Sequence, residues 1–326
     1  MFVFLFGLSS CGFNDYFACS PIMLESISSW TYNTNGCYFL QMSLFDKITS
    51  TNSAIYVNAN SVFLYISKSD FISCASSIEG GAIRFSSSGG GIAQEYSCSY
   101  SCYSSSTSSY GQFSHQTVAV SQPNSVLYSS VSLCCPFPSY DRRAPIYTNS
   151  GKPVFHYNNF SNNYASYDSA FRIDYGNELS ISYTTILNNK ANDRQCTNIK
   201  EGTGIKVMNY TNYIGNNSPL THGSVLIWDT TFFIKKCIFY ENTNTLFYVY
   251  SSGKLTVSES YISHDYTVKT GTLVELAADN QYQLTNSYTG YLKKNAQCTF
   301  LSENTLKGKS YVNIIVRLVV YLCDLY

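Results

Sequence analysis

Catalysis needs carboxylates, imidazoles, thiols or amines brought together at set spacings, and this chain offers few such sets. Its four histidines, His115, His156, His222 and His264, are far apart, and no HxH, HExxH or GxSxG stretch occurs. His264 next to Asp265 is an isolated pair. Twelve cysteines include no CxxC pair; Cys98 and Cys102 are spaced CxxxC, and Cys134 and Cys135 are adjacent, which fits no zinc pattern. They read as small buried residues, with disulfides outside the core as the alternative, the latter suiting an oxidising compartment. Gly89-Gly90-Gly91 has no GK[ST] after it and reads as a turn, not a phosphate loop. No metal and no cofactor is therefore expected. Two groups remain. One is a mixed patch of Arg172, Asp174 and Lys206, whose bland reading is a solvated face. The other is the Tyr- and Ser-rich stretch 101–117, with Tyr103, Tyr110, Phe113 and His115, whose bland reading is a tolerated insertion.

Composition narrows the partners. Formal net charge is zero and only 12% of residues are charged, about half of typical usage. Phosphate neutralisation needs clustered Lys and Arg, so a nucleic-acid partner is not expected. Thirty tyrosines and 16% aromatic residues favour strands, and 44% apolar content argues against disorder. Sequons at Asn159, Asn209 and Asn216 are compatible with an extracellular chain. The N-terminal MFVFLFGLSSCG lacks a basic region and makes a poor signal peptide. The C-terminal VNIIVRLVVYLCDLY is short and interrupted by Arg317, well under the roughly 20 residues of a spanning helix. It reads as a terminal strand or cap, with a clipped membrane anchor as the alternative; membrane attachment stays open.

The elements that must position any site come from a repeat. One phrase recurs: apolar, any, apolar, two of anything, small polar, any, large apolar. The small polar mark falls at Ser43, Ser69, Cys98, Val131, Asn158, Thr184, Asn212, Cys237, Ser260 and Ser287. The large apolar position two later holds Phe45, Phe71, Tyr100, Leu133, Phe160, Ile186, Ile214, Phe239 and Ile262. A second short strand precedes most units, as in SAIYV, GAIRF, TVAV, APIYT, SAFRI, GSVLI, TLFYV and TLVEL; the unit of Asn212 lacks the intervening turn, so its two strands read as merged or trimmed. Short alternating strands on a period of about 27 residues suit a stacked solenoid and neither helical repeats nor propeller blades. The fold class expected is all-β, a parallel β-helix of about ten coils at 38–290. A lead-in or cap is expected at 1–37 and a cap or apolar tail at 291–326.

Register then assigns roles. The small polar residue sits at a tight bend. Asn163, Asn189, Asn217 and Asn242 fall in four consecutive coils and should form an asparagine ladder. The outward position of the first strand holds Tyr56, Arg84, Ala119, Tyr147, Arg172, Lys206, Leu226, Tyr248 and Glu275, which places Arg172 beside Lys206. Acidic residues never coincide in adjacent coils at one register, against a paired-carboxylate glycosidase. Tyr56, Tyr147 and Tyr248 are not in adjacent coils, so they make no continuous sugar platform. The longest connections, 101–117 and 187–204, are where binding is expected.

Phe160-Ser-Asn-Asn163 and Phe239-Tyr-Glu-Asn242 are FxxN, and Gly80-Gly81-Ala82-Ile83 is GGAI. With these motifs the chain resembles the chlamydial polymorphic outer-membrane proteins, and in its Ser/Asn/Tyr-rich style the right-handed β-helix surface proteins of trichomonad protozoa. The resemblance implies a right-handed coil and an extracellular, adhesin-like rod, with no catalytic residue. The function expected is non-catalytic recognition of host glycan or protein through edge loops at the cell surface or in secretion. A β-helix polysaccharide lyase or glycoside hydrolase is the alternative, and a structural spacer within a larger surface protein the second.

Overall fold

A computed structural model describes residues 13–24, 29–107, 109–135, 142–219, 222–263, 268–269 and 272–278. The chain is a parallel β-solenoid of about nine turns, and the described residues include one short helix, Phe13–Tyr16. Among the described residues, the turns contribute strands to three parallel sheets. The first sheet stacks ten strands, from Trp30–Tyr32 through Ile83–Ser86, Ser114–Thr117, Ile146–Asn149, Phe171–Asp174 and Thr197–Lys200 to Val268–Lys269. The second runs from Ile22–Leu24 to Thr272–Ala278. The third runs from Leu44–Asp46 to the end of Lys254–Ile262. Successive strands pair at the usual ~4.8 Å step. Side chains alternate in and out, so Ile55, Ile83, Ile146 and Phe171 enter one continuous core while Tyr56, Arg84, Tyr147 and Arg172 face out. Stacking buries what a lone strand cannot, each Phe or Ile being worth about 1.5–3 kcal/mol.

The corner between the second and third sheets explains the small polar mark. Ser43 N–H donates to Ser69 Oγ, Ser97 N–H to Ser129 Oγ, Asn158 N–H to Thr184 Oγ1 and Cys237 N–H to Ser260 Oγ. The bend residues are thus Ser43, Ser69, Ser97, Ser129, Asn158, Thr184, Thr211, Cys237 and Ser260. Cys98, Val131 and Asn212 were the wrong marks, displaced by one or two positions because apolar periodicity outweighed the bend chemistry. The residue before each bend is left-handed, as at Tyr96, Tyr128, Tyr157, Tyr183 and Tyr210, with φ between 49° and 58°. Their rings stack in register at 4.8–5.0 Å, nearly parallel, and the Lys236 ammonium lies over Tyr210. This tyrosine ladder covers its own ring faces, so it offers edges rather than faces to a sugar.

The asparagine ladder is present with one member changed. Asn163 Nδ2 donates to Asn189 Oδ1, Asn189 to Asn216 and Asn216 to Asn242, at 3.0–3.1 Å. Asn216, not Asn217, holds the rung, because Tyr213 rather than Ile214 points into the core. Asn216 is fully buried, which leaves no room for a glycan at that sequon. Cys74, Cys102 and Cys134 continue the same column, with the Cys74 and Cys102 thiols donating to the Phe45 and Phe71 carbonyls. FxxN therefore reads as one core ring followed by one ladder rung.

Two coils lack the apolar alternation that sequence reading relies on. The strand at Ser114–Thr117 sends Ser114 and Gln116 inward, and Thr197–Lys200 sends Thr197 inward. TVAV is consequently not a first-sheet strand, and the unit of Asn212 has its own, Thr197–Lys200. TLVEL lies within Thr272–Ala278, in the second sheet. The N-terminal helix sits outside the coils: Phe13 and Phe17 pack on Phe39, Tyr65 and Ala93, on the outer face of the second sheet. The Cys19–Cys37 disulfide fastens it, and Cys98 is likewise disulfide-bonded. Cys74, Cys102, Cys134, Cys196 and Cys237 are buried free thiols, so both roles expected of the cysteines occur. Among the described residues, no helix is long and apolar enough to cross a membrane.

Candidate functional site

The outward row of the first sheet is Tyr56, Arg84, His115, Tyr147, Arg172, Asn198, Leu226 and Tyr248. His115 replaces Ala119 in this row and Asn198 replaces Lys206, because the strands are Ser114–Thr117 and Thr197–Lys200. Arg172 is therefore not beside Lys206. Lys206 lies in the second sheet between Leu179 and Phe232, pointing into the core, fully buried. Among the described residues its Nζ donates to the Thr203 carbonyl, 3.3 Å away, and burial lowers its pKa to about 8. Phe113 is also lost to the surface: it is buried against Phe71. His264, Asp265 and Ser287 lie outside the described residues.

The remaining candidates converge. Arg172 grips Asp174 through Nε and Nη2 at 2.8–3.0 Å, and its Nη1 reaches Asp168 at 3.5 Å. Tyr147 donates its hydroxyl to Asp174, and Gln195 donates to Asp168. Burial opposes the Arg172 charge, yet Asp168 and Asp174 outweigh it and raise its pKa above the ordinary value. Burial pushes the Asp168 carboxyl up, with Arg172 and Gln195 working against that. Both carboxylates are thus engaged by one guanidinium. On the other side of Tyr147, His115 stacks edge-on at 4.8 Å and lies 3.1 Å from Glu79, which also pairs with Arg84 at 2.9 Å. The His115 contact, and then Arg84, hold the Glu79 carboxyl below its usual range despite partial burial.

Beside this row runs a second column at the corner that precedes the first sheet. Isolated parallel bridges join Tyr110 to Arg143 and Arg143 to Tyr167 in successive coils. The Arg143 guanidinium lies 4.7 Å from the Tyr110 ring centre and 5.1 Å from that of Tyr167, and Arg194 lies 4.6 Å from Tyr167. Arg143 also donates to the Tyr110 hydroxyl. The column alternates tyrosine and arginine, one per coil, each guanidinium attracted to the ring quadrupole. Arg172 crosses from the row to the column, 5.0 Å from the Tyr110 ring, and Arg142 lies 5.6 Å from that of Tyr103. Tyr103, Tyr110, His115, Arg172 and Asp174, drawn from two separate sequence groups, thus share one face.

Arg143, Tyr167, Arg194 and Glu79 were not singled out from sequence. Their signal was positional: a tyrosine or arginine at one corner of four consecutive coils. Gly80 and Gly81 of GGAI hold this corner tight. Gly80 has φ +74°, and a Cβ on Gly81 would lie 2.3 Å from the Tyr103 carbonyl. Among the described residues, no three His, Cys, Asp or Glu side chains gather to hold a metal ion. Comparison with protein-family models, curated proteins and solved structures finds no match.

Proposed function

We propose that the chain is a non-catalytic recognition module of a surface or secreted protein, binding glycan or protein through the tyrosine–arginine face. What supports this reading is the convergence of Tyr103, Tyr110, His115, Arg143, Tyr167, Arg172 and Arg194 into one pre-ordered strip. Ordered aromatic and guanidinium groups on a rigid scaffold bind with little entropy lost on association. In this reading the site lies on the face of the rod rather than in free edge loops. The surface setting, of the trichomonad or chlamydial kind, draws support from the FxxN and GGAI motifs and from the Cys19–Cys37 disulfide.

The test is a glycan and protein array read for binding and for chain cleavage, with Arg143→Ala and Tyr110→Ala alongside. Deleting 101–117 would remove the strand Ser114–Thr117, so point variants are needed. Binding lost in both variants, without cleavage, is the expected result. Cleavage of a polysaccharide would refute the non-catalytic reading and turn attention to Arg172, Asp168 and Asp174. Silence on every spot would favour a structural spacer.

A further inference from the structure

The sequence contains six arginines, and five of them, Arg84, Arg142, Arg143, Arg172 and Arg194, lie on this one face. The lysines are dispersed, from Lys47 on the first coil to Lys235 near the last and Lys206 in the core. In a chain of zero net charge this segregation has a chemical content. A guanidinium differs from an ammonium in its planar fork of donors, its weaker hydration and its stacking on aromatic rings. The fork matches carboxylate and sulfate oxygens two at a time.

The anions already present do not use it up. Glu79 is engaged by Arg84 and His115, and Asp168 and Asp174 by Arg172. Arg142, Arg143 and Arg194 form no ion pair among the described residues. Among the described residues, Arg142 Nε and Nη1 and Arg143 Nε are buried donors with no acceptor. Tyr167 keeps its faces for Arg143 and Arg194, so it acts as a spacer that fixes their separation. That separation is two coil steps, roughly 10 Å, close to the length of one disaccharide in an extended polysaccharide.

On the reading that this face is a recognition site, we infer that its ligand is a linear acidic polysaccharide laid along the rod axis. Such a ligand carries a carboxylate or sulfate on about every second sugar, with successive anionic groups meeting Arg143 and Arg194. The half-buried Arg142 and Arg143 and the exposed Arg194 supply the positive charge that the anions meet, and Tyr103 and Tyr110 line the approach.

The experiment titrates the full chain with hyaluronan, with heparin and with neutral dextran, at several salt concentrations. Both acidic polymers are expected to bind with affinity that falls as salt rises, and dextran is expected not to bind. Stronger hyaluronan binding assigns the site to carboxylates, and stronger heparin binding to sulfates. Arg194→Gln, an exposed position, should weaken binding about tenfold, the scale of one charge-assisted hydrogen bond. Arg143→Lys keeps the charge but loses the fork and the stack, and should weaken binding by a similar factor. Lys47→Gln, on the first coil away from this face, should change nothing. Circular dichroism melts coinciding with the parent chain show that the variants fold. Binding of dextran or of a protein that Arg194→Gln leaves intact would overturn the acidic ligand while leaving a recognition module standing. No binding to any polysaccharide or protein would overturn both.

Discussion

Asn189 is the sharpest place to test whether the internal ladder holds the coils together. Its side chain makes four hydrogen bonds in a fully buried site. Oδ1 accepts from the Asn163 backbone N–H and from Asn163 Nδ2, both at 3.0 Å. Nδ2 donates to the Phe160 carbonyl at 2.9 Å and to Asn216 Oδ1 at 3.0 Å. Asn189→Ala removes all four and leaves two buried donors on Asn163 without an acceptor. At about 1–3 kcal/mol for each such group, plus about 1 kcal/mol for the bond to Phe160, the expected cost is about 4 kcal/mol. The column itself supplies a control. Cys74 and Cys102 occupy equivalent positions and donate S–H to the carbonyl of the preceding coil. Asn189→Cys should therefore keep the Phe160 bond and cost about 1 kcal/mol less than Asn189→Ala. Urea denaturation followed by circular dichroism gives both values, and hydrogen exchange at the Asn163 amide gives a local reading. If alanine costs under about 1 kcal/mol, or cysteine costs as much as alanine, the ladder is not the source of cohesion argued for it.

Lys206→Met should stabilise the chain by about 3 kcal/mol at neutral pH, because a folded pKa of about 8 marks the penalty of burying the ammonium. Its folded pKa is depressed below the unfolded value, so the parent chain should gain stability as pH rises from 8 towards 9.5. The methionine variant should show no such gain in thermal melts. Tyr157→Ala should cost about 1–2 kcal/mol by removing two stacking contacts in the middle of the tyrosine ladder. At φ +58° glycine is at ease, so Tyr157→Gly should cost about 1 kcal/mol less than Tyr157→Ala in the same urea assay. Glu79 has a depressed folded pKa, so its pairing stabilises above the ordinary glutamate range and is lost as pH falls through the folded value. Glu79→Gln should accordingly flatten the acid limb of the stability curve.

The solenoid was legible because its core rings recur: Phe45, Phe71, Phe160 and Phe239 mark their own positions. The third sheet became illegible where Ser99 faces inward instead of a ring, and the register slid to Tyr100. The same cause hid Ser114–Thr117 and Thr197–Lys200, whose inward residues are polar, and with them His115 and Asn198. Lys206 was misplaced because a lysine is rarely buried, and only the pairing of Leu179, Lys206 and Phe232 reveals its direction. The site was half visible. Tyr110 and Arg172 were picked out for separate reasons, but their meeting depends on a corner that carries no apolar pattern.

The alternation of tyrosine and arginine along that corner has a consequence for how the rod can change length. Inserting or losing one coil between Tyr110 and Arg194 would set ring against ring or guanidinium against guanidinium. Inserting or losing two would restore every pairing. Growth of this segment by duplication is thus quantised in pairs of coils, while the tyrosine and asparagine ladders, uniform along their length, tolerate any number. The recognition strip is the part of the molecule with a parity.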